Sequence, residues 1–93
     1  SPYAPVKRDL ALVCDEAVAC GKIEETIKKA SPLVSEVKLF DIYRGANLGE
    51  GKKSMAFSLS LADPKKEVSA EEAERAVKKI LGNLKFKLGI EIR

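Results

Sequence analysis

The stretch Val37–Leu61, VKLFDIYRGANLGEGKKSMAFSLSL, constrains the fold more than any other part of the chain. It reads as two strands around a glycine-containing loop, because residue character alternates with a period of two on either side of Gly45, Gly49 and Gly51. In the second half Met55, Phe57, Leu59 and Leu61 alternate with Ser54, Ala56, Ser58 and Ser60. In the first half the same reading puts Phe40 and Ile42 on one face and Leu39, Asp41 and Tyr43 on the other. One face is bulky and apolar, whereas the other is small, hydroxylated and carries one tyrosine. An antiparallel pair of this kind buries its bulky face against helices and leaves the small one solvated, so the open face is where a binding site is expected. The loop from Arg44 to Lys52 is longer than a two-residue hairpin turn and is expected to be mobile.

The flanking segments supply the other layers. Val6 to Cys14 reads as a first strand, with Leu10, Leu12 and Cys14 alternating against Lys7, Asp9, Ala11 and Val13, and Arg8 near the sheet rim. Gly21 to Ala30 places Ile23, Ile27 and Ala30 at helical spacing, with Glu24 and Glu25 early and Lys28 and Lys29 late, which suits the helix dipole. Ser31 and Pro32 end that helix, and the second strand is expected over Leu33 to Arg44. Asp63 and Pro64 break the third strand, and Ser69 followed by Glu72 is a capping-box start for a second helix carrying Ala73, Val77, Ile80, Leu81 and Leu84 on one stripe. Ile90 and Ile92 alternate with Glu91 and Arg93 in a last short strand.

The order β, α, β, β, α, β predicts an α+β, ferredoxin-like fold: a four-stranded antiparallel sheet in the order 4-1-3-2 with both helices on one face. The core expected beneath it comprises Phe40, Ile42, Met55, Phe57, Leu59, Ile27, Val77, Ile80 and Leu84. The open face gathers Asp9, Asp41, Tyr43, Ser54, Ala56, Glu91 and Arg93.

Composition narrows the function by exclusion. Ninety-three residues, 45% apolar and 33% charged, suit one domain spanning 1–93, with residues 1–5 an extended lead-in around Pro2, Tyr3 and Pro5. With no methionine at position 1, the chain is expected to be a piece excised from a longer one. No apolar run approaches the roughly 20 residues that span a bilayer, and no signal-peptide pattern opens the chain, so a cytoplasmic location is expected. Cys14 and Cys20 lack a CxxC spacing and the chain has no histidine, which argues against a metal site. GxSxG and HExxH are absent, and GANLGEGKK lacks the order of a phosphate-binding P-loop. Asp9 and Asp41 could approach each other, but Arg8, Arg44, Arg93 or a lysine would partner each more naturally than a shared proton. A formal charge of +3 decides nothing by itself.

Tyr43 is either an edge tyrosine covering Leu39 and Ala56 or a stacking platform for a flipped-out base, with the Ser54 hydroxyl beside it leaving room and offering a hydrogen bond. Lys52 and Lys53 are either solvated turn residues or phosphate contacts. Four motifs bear on the choice: PVKRDL from Pro5 to Leu10, VKLFDIYRG from Val37 to Gly45, GKKSMAF from Gly51 to Phe57, and GIEIR from Gly89 to Arg93. In these the chain resembles the ferredoxin-fold anticodon-binding domain at the C-terminal end of the β subunit of bacterial phenylalanine–tRNA ligase.

The resemblance implies that Tyr43 stacks on an anticodon base, that Ser54 hydrogen-bonds to the anticodon, and that Arg93 matches the family's terminal arginine. Arg44, Lys52, Lys53 and Asp41 complete the expected RNA-facing set. It also implies the anticodon stem-loop of phenylalanine tRNA as partner, together with the rest of the β subunit and the α subunit. The fragment would be non-catalytic and without a cofactor, ATP and magnesium belonging to the parent ligase. At the entry to its second helix the chain has Glu67, Val68 and Ser69 in place of the family's threonine-leucine-threonine type of sequence, which retains only the capping role. The rival expectation is a regulatory or protein-interaction domain on the same fold. An acylphosphatase-like enzyme lacks its glycine-rich, arginine-bearing loop after the first strand.

Overall fold

The computed structural model describes residues 3–92. Its elements run β1 (Val6–Asp15), α1 (Cys20–Ala30), β2 (Val34–Tyr43), a 3-10 turn (Ala46–Leu48), β3 (Lys52–Leu61), α2 (Ala70–Leu88) and β4 (Glu91–Ile92). The strands form one four-stranded sheet in the order β2-β3-β1-β4, the expected order read from the other edge. All pairings are antiparallel. The helices cover one face, and Leu10, Leu12, Cys14, Ile23, Ile27, Met55, Phe57, Leu59, Ile80, Leu84 and Ile90 form the main core beneath it. A smaller cluster of Leu61, Val68, Ala73 and Ala76 extends the apolar layer towards the start of α2.

Local chemistry accounts for the helix ends. Ser69 accepts a hydrogen bond from the Glu72 N–H at 3.1 Å while the Glu72 side chain accepts one from the Ser69 N–H at 3.2 Å, the reciprocal pair that satisfies two otherwise unpaired donors. At the other end Gly89 takes a left-handed φ of 66°, which costs a residue without a Cβ little, and its N–H closes on the Lys85 carbonyl at 3.0 Å. Helix α1 begins at Cys20 rather than Gly21, with no side-chain cap at Ala19 and no acid in its first turn. Its dipole is therefore complemented only at the C-terminal end, by Lys28 and Lys29.

Strand β2 departs from the expected alternation. Leu39 stands opposite Phe57 and Asp41 opposite Ala56, so Phe40 is an extra residue in a bulge, and a second irregularity lies between Val34 and Glu36. A one-residue insertion reverses the faces. Val37 and Leu39 pack against the core, whereas Phe40, placed in the core by alternation, is 55% exposed. Ile42 is opposite Met55 on the helix-covered side but near the rim, 41% exposed, and Val77 is only partly buried. Asp41 and Tyr43 lie beyond the bulge and keep their places on the open face.

Candidate nucleic-acid interface

Register brings the open-face residues into one row. Tyr43 lies opposite Ser54, Ser54 opposite Val13, and Val13 opposite Glu91, so the row crosses all four strands at the end of the sheet nearest the 44–51 loop. Asp41, Ala56 and Ala11 form the next row. Directly opposed residues have Cβ atoms about 4.5 to 5.5 Å apart, so one planar group can touch Tyr43 and its neighbour together. Tyr43 is 40% exposed, but Ser54 is only 4% exposed. The serine is nearly buried and does not leave the open space its size suggests.

The Tyr43 ring is held by the loop that follows it. Its hydroxyl donates to Asn47 Oδ1 at 2.9 Å, from within the 3-10 turn. A Cβ on Gly45 would overlap the Tyr43 hydroxyl oxygen and adjoining ring carbons, so the ring tip rests on the Gly45 backbone. The Gly45 φ of −150° is ordinary extended backbone, so space and not dihedral freedom requires glycine there.

The expected cations are not alike. Arg44 donates to both Glu16 carboxylate oxygens, at 2.8 and 2.7 Å. Each group favours the other's charge: the hydrogen bond from Arg44 holds the Glu16 carboxyl below its ordinary range, and Glu16 raises the Arg44 guanidinium. Lys52 donates to Asp15 at 2.6 Å, and that bond raises its ammonium in turn. Both pairs are solvated, so water and salt compete with them.

Lys53 departs from both expectations, the solvated turn residue and the RNA-facing phosphate contact. It lies opposite Cys14 in the core-facing row, is 7% exposed, and donates to the Val18 carbonyl at 2.7 Å. Its stem extends the apolar row and its ammonium ties down the turn after β1. Asp41 makes no ion pair with any described residue. Asp9 lies opposite Ser58 and Asp41 opposite Ala56, so β3 lies between the two residues and holds their backbones about 10 Å or more apart, which does not favour a shared proton. Arg93 lies outside the described residues.

Glu16, Gly45, Asn47 and Asp15 were missed as site residues from sequence. Glu16 and Arg44 are 28 positions apart and no periodicity links them. The signal within reach was local: Gly45 and Asn47 follow Tyr43 closely enough to fold back on its ring. Neither cysteine is an activated thiol. Burial, the largest influence on each, pushes both Cys14 and Cys20 up, and Glu24 adds to the effect at Cys20. Among the described residues no acidic or cysteine cluster could hold a metal ion, and no helix is long and apolar enough to cross a membrane.

An antiparallel sheet with both helices on one face and a tyrosine-bearing row on the other defines a ferredoxin-like binding module. The chain belongs to the ferredoxin-fold anticodon-binding domain family, whose model matches residues 1–93. It is 40% identical over 92 residues, 98% of its length, to the phenylalanine–tRNA ligase beta subunit of Geobacillus kaustophilus. The same subunit is 45% identical over 80 residues, 85% of the chain, in Bacillus subtilis, and 47% identical over 89 residues, 95% of the chain, in Lactococcus lactis. The match occupies 11%, 10% and 11% of those three proteins respectively.

Proposed function

We propose that the chain is the anticodon-gripping module of a phenylalanine–tRNA ligase beta subunit and binds the anticodon stem-loop of phenylalanine tRNA on its open sheet face. The observation that carries this reading is the direct opposition of Tyr43 and Ser54 on the helix-free face of a chain of the anticodon-binding family. A flipped-out base stacks on the Tyr43 ring, and Ser54, once uncovered, gives or accepts a hydrogen bond at the edge of the same base. Lys52, and Arg93 at the chain end, supply phosphate attraction, which positions the RNA without specifying its sequence.

On this reading the chain makes no bond and needs no cofactor. Its binding energy helps to place the far end of the tRNA in a catalytic centre elsewhere in the ligase, which uses ATP and magnesium and works in the cytoplasm. The rest of the β subunit and the α subunit are its standing partners.

The test is a fluorescence titration of the chain with a synthetic anticodon stem-loop of phenylalanine tRNA against a scrambled hairpin. Tyr43→Ala is expected to weaken binding by ~1 to 3 kcal/mol, Tyr43→Phe by less, and Ser54→Ala by ~0.5 to 1.5 kcal/mol, all without unfolding. A double-mutant cycle checks that both residues serve one base: strictly additive losses would separate them. A folded Tyr43→Ala chain that binds the hairpin like the parent would leave the interaction-domain reading in its place.

A further inference from the structure

Glu16, on the turn after β1, grips the 44–51 loop at both ends. Its carboxylate takes Arg44, the residue that leaves β2, at 2.8 and 2.7 Å. Its own backbone N–H donates to the Gly51 carbonyl, the residue that enters β3, at 2.8 Å. Between these two anchors lie Gly45, on whose backbone the Tyr43 ring tip rests, and Asn47, which accepts the Tyr43 hydroxyl at 2.9 Å. The ring is thus seated on a loop whose two ends are closed by one residue of another strand's turn. Fixing a loop before a ligand arrives removes an ordering cost from the binding step.

We infer that Glu16, Gly45 and Asn47 are positioning residues, and that the Glu16–Arg44 pair is a clamp that holds the 44–51 loop so that Tyr43 is presented to RNA in one orientation. The inference rests on the anticodon reading and reassigns Arg44 within it. Arg44 is engaged with a carboxylate, so its contribution to binding runs through the loop and not through a phosphate.

The sign of one substitution separates the two roles. If Arg44 were a phosphate ligand held back by Glu16, Glu16→Gln would release it and remove a negative charge near the RNA, and hairpin binding would strengthen. With Arg44 as a clamp, Glu16→Gln loosens the loop, and hairpin affinity is expected to fall roughly three- to tenfold. The loss should shrink to less than about twofold in a Tyr43→Ala background, because a residue acting through the ring has nothing left to position. Exchanging the charges, Glu16→Arg with Arg44→Glu, should restore most of the affinity.

Gly45→Ala and Asn47→Ala disturb the ring seat while leaving the ion pair intact. They should reproduce the loss and its dependence on Tyr43, and they carry the test should Glu16→Gln fail to fold. The ring itself gives a readout without RNA. With Tyr3→Phe, Tyr43 is the chain's one remaining tyrosine, and Glu16→Gln should move its ring signals in the NMR spectrum. Affinity equal to or above the parent's in Glu16→Gln overturns the clamp, as does a loss undiminished in the Tyr43→Ala background. Ring signals unmoved by Glu16→Gln overturn it whatever the RNA result, whereas parent-like binding by Tyr43→Ala overturns the anticodon reading.

Discussion

Strands β2 and β3 lie side by side but obey different constraints. β3 is bonded on both sides, and its ladder with β1 runs without a break from Val6 opposite Leu61 to Asp15 opposite Lys52. β2 has a neighbour on one side only and carries two irregularities along its length. An extra residue in a central strand would break two ladders at once, whereas at an edge it disturbs one and adds twist. The regular strand builds the core, and the irregular one carries Tyr43 into its loop. The bulge at Phe40 turns Asp41 and Tyr43 onto the open face while leaving Val37 and Leu39 packed below.

The largest consequence of this contrast is in stability. Phe57 is fully buried in the regular strand, and Phe57→Ala is expected to cost ~3 to 5 kcal/mol, enough to threaten a small domain. Phe40→Ala, in the bulge, should cost less than about 1 kcal/mol because most of the ring is already solvated. Urea denaturation of the two variants decides it, and similar costs would mean that the bulge does not set the faces apart.

The adjacent lysines at the start of β3 repeat the contrast on a smaller scale. Lys53→Ala removes a buried stem and leaves the Val18 carbonyl without its charged donor, for an expected loss of ~1 to 3 kcal/mol. Lys52→Ala should change stability by no more than about 0.5 kcal/mol, since its partner Asp15 stays solvated. The two should exchange rank in RNA binding: Lys52→Ala is expected to lower the salt slope by about one unit, and Lys53→Ala to leave it unchanged. A slope that moved only with Lys53 would reverse the assignment.

A gentler probe is pH. The Glu16 carboxyl is held below its ordinary value by Arg44, so the folded state binds that proton less readily than the unfolded chain. Its stabilising contribution is complete above the ordinary glutamate value of about 4.5 and is lost as pH falls through the lower folded value. Acid should therefore move the Tyr43 ring signals before the core unfolds, and Glu16→Gln should abolish that early step. Ring signals that changed only with global unfolding would show that the loop and the sheet give way together.

Some features of this chain are legible in its sequence and others are not, and particular residues show why. Alternation identified the core row of β3, and spacing of three and four identified the buried stripe of α2, because those patterns are local and each element is regular. The capping box at Ser69 and Glu72 was readable for the same reason: its partners are three residues apart. Alternation puts Phe40 on the wrong side because it assumes an unbroken ladder, and only the partner strand reveals where a residue is left over.

The sequence by itself determined the order of elements, the sheet topology, the bulky underside and the presence of Tyr43 and Ser54 on the opposite face. Only the tertiary structure decided that Lys53 points inward, that Ser54 is shielded, that Arg44 belongs to Glu16, and that Gly45 and Asn47 seat the Tyr43 ring. The physical reason is range. Helical and strand periodicity follow from neighbours a few positions apart, whereas Glu16 with Arg44 and Lys53 with Val18 meet across 28 and 35 positions, where they are brought together by the packing of whole strands.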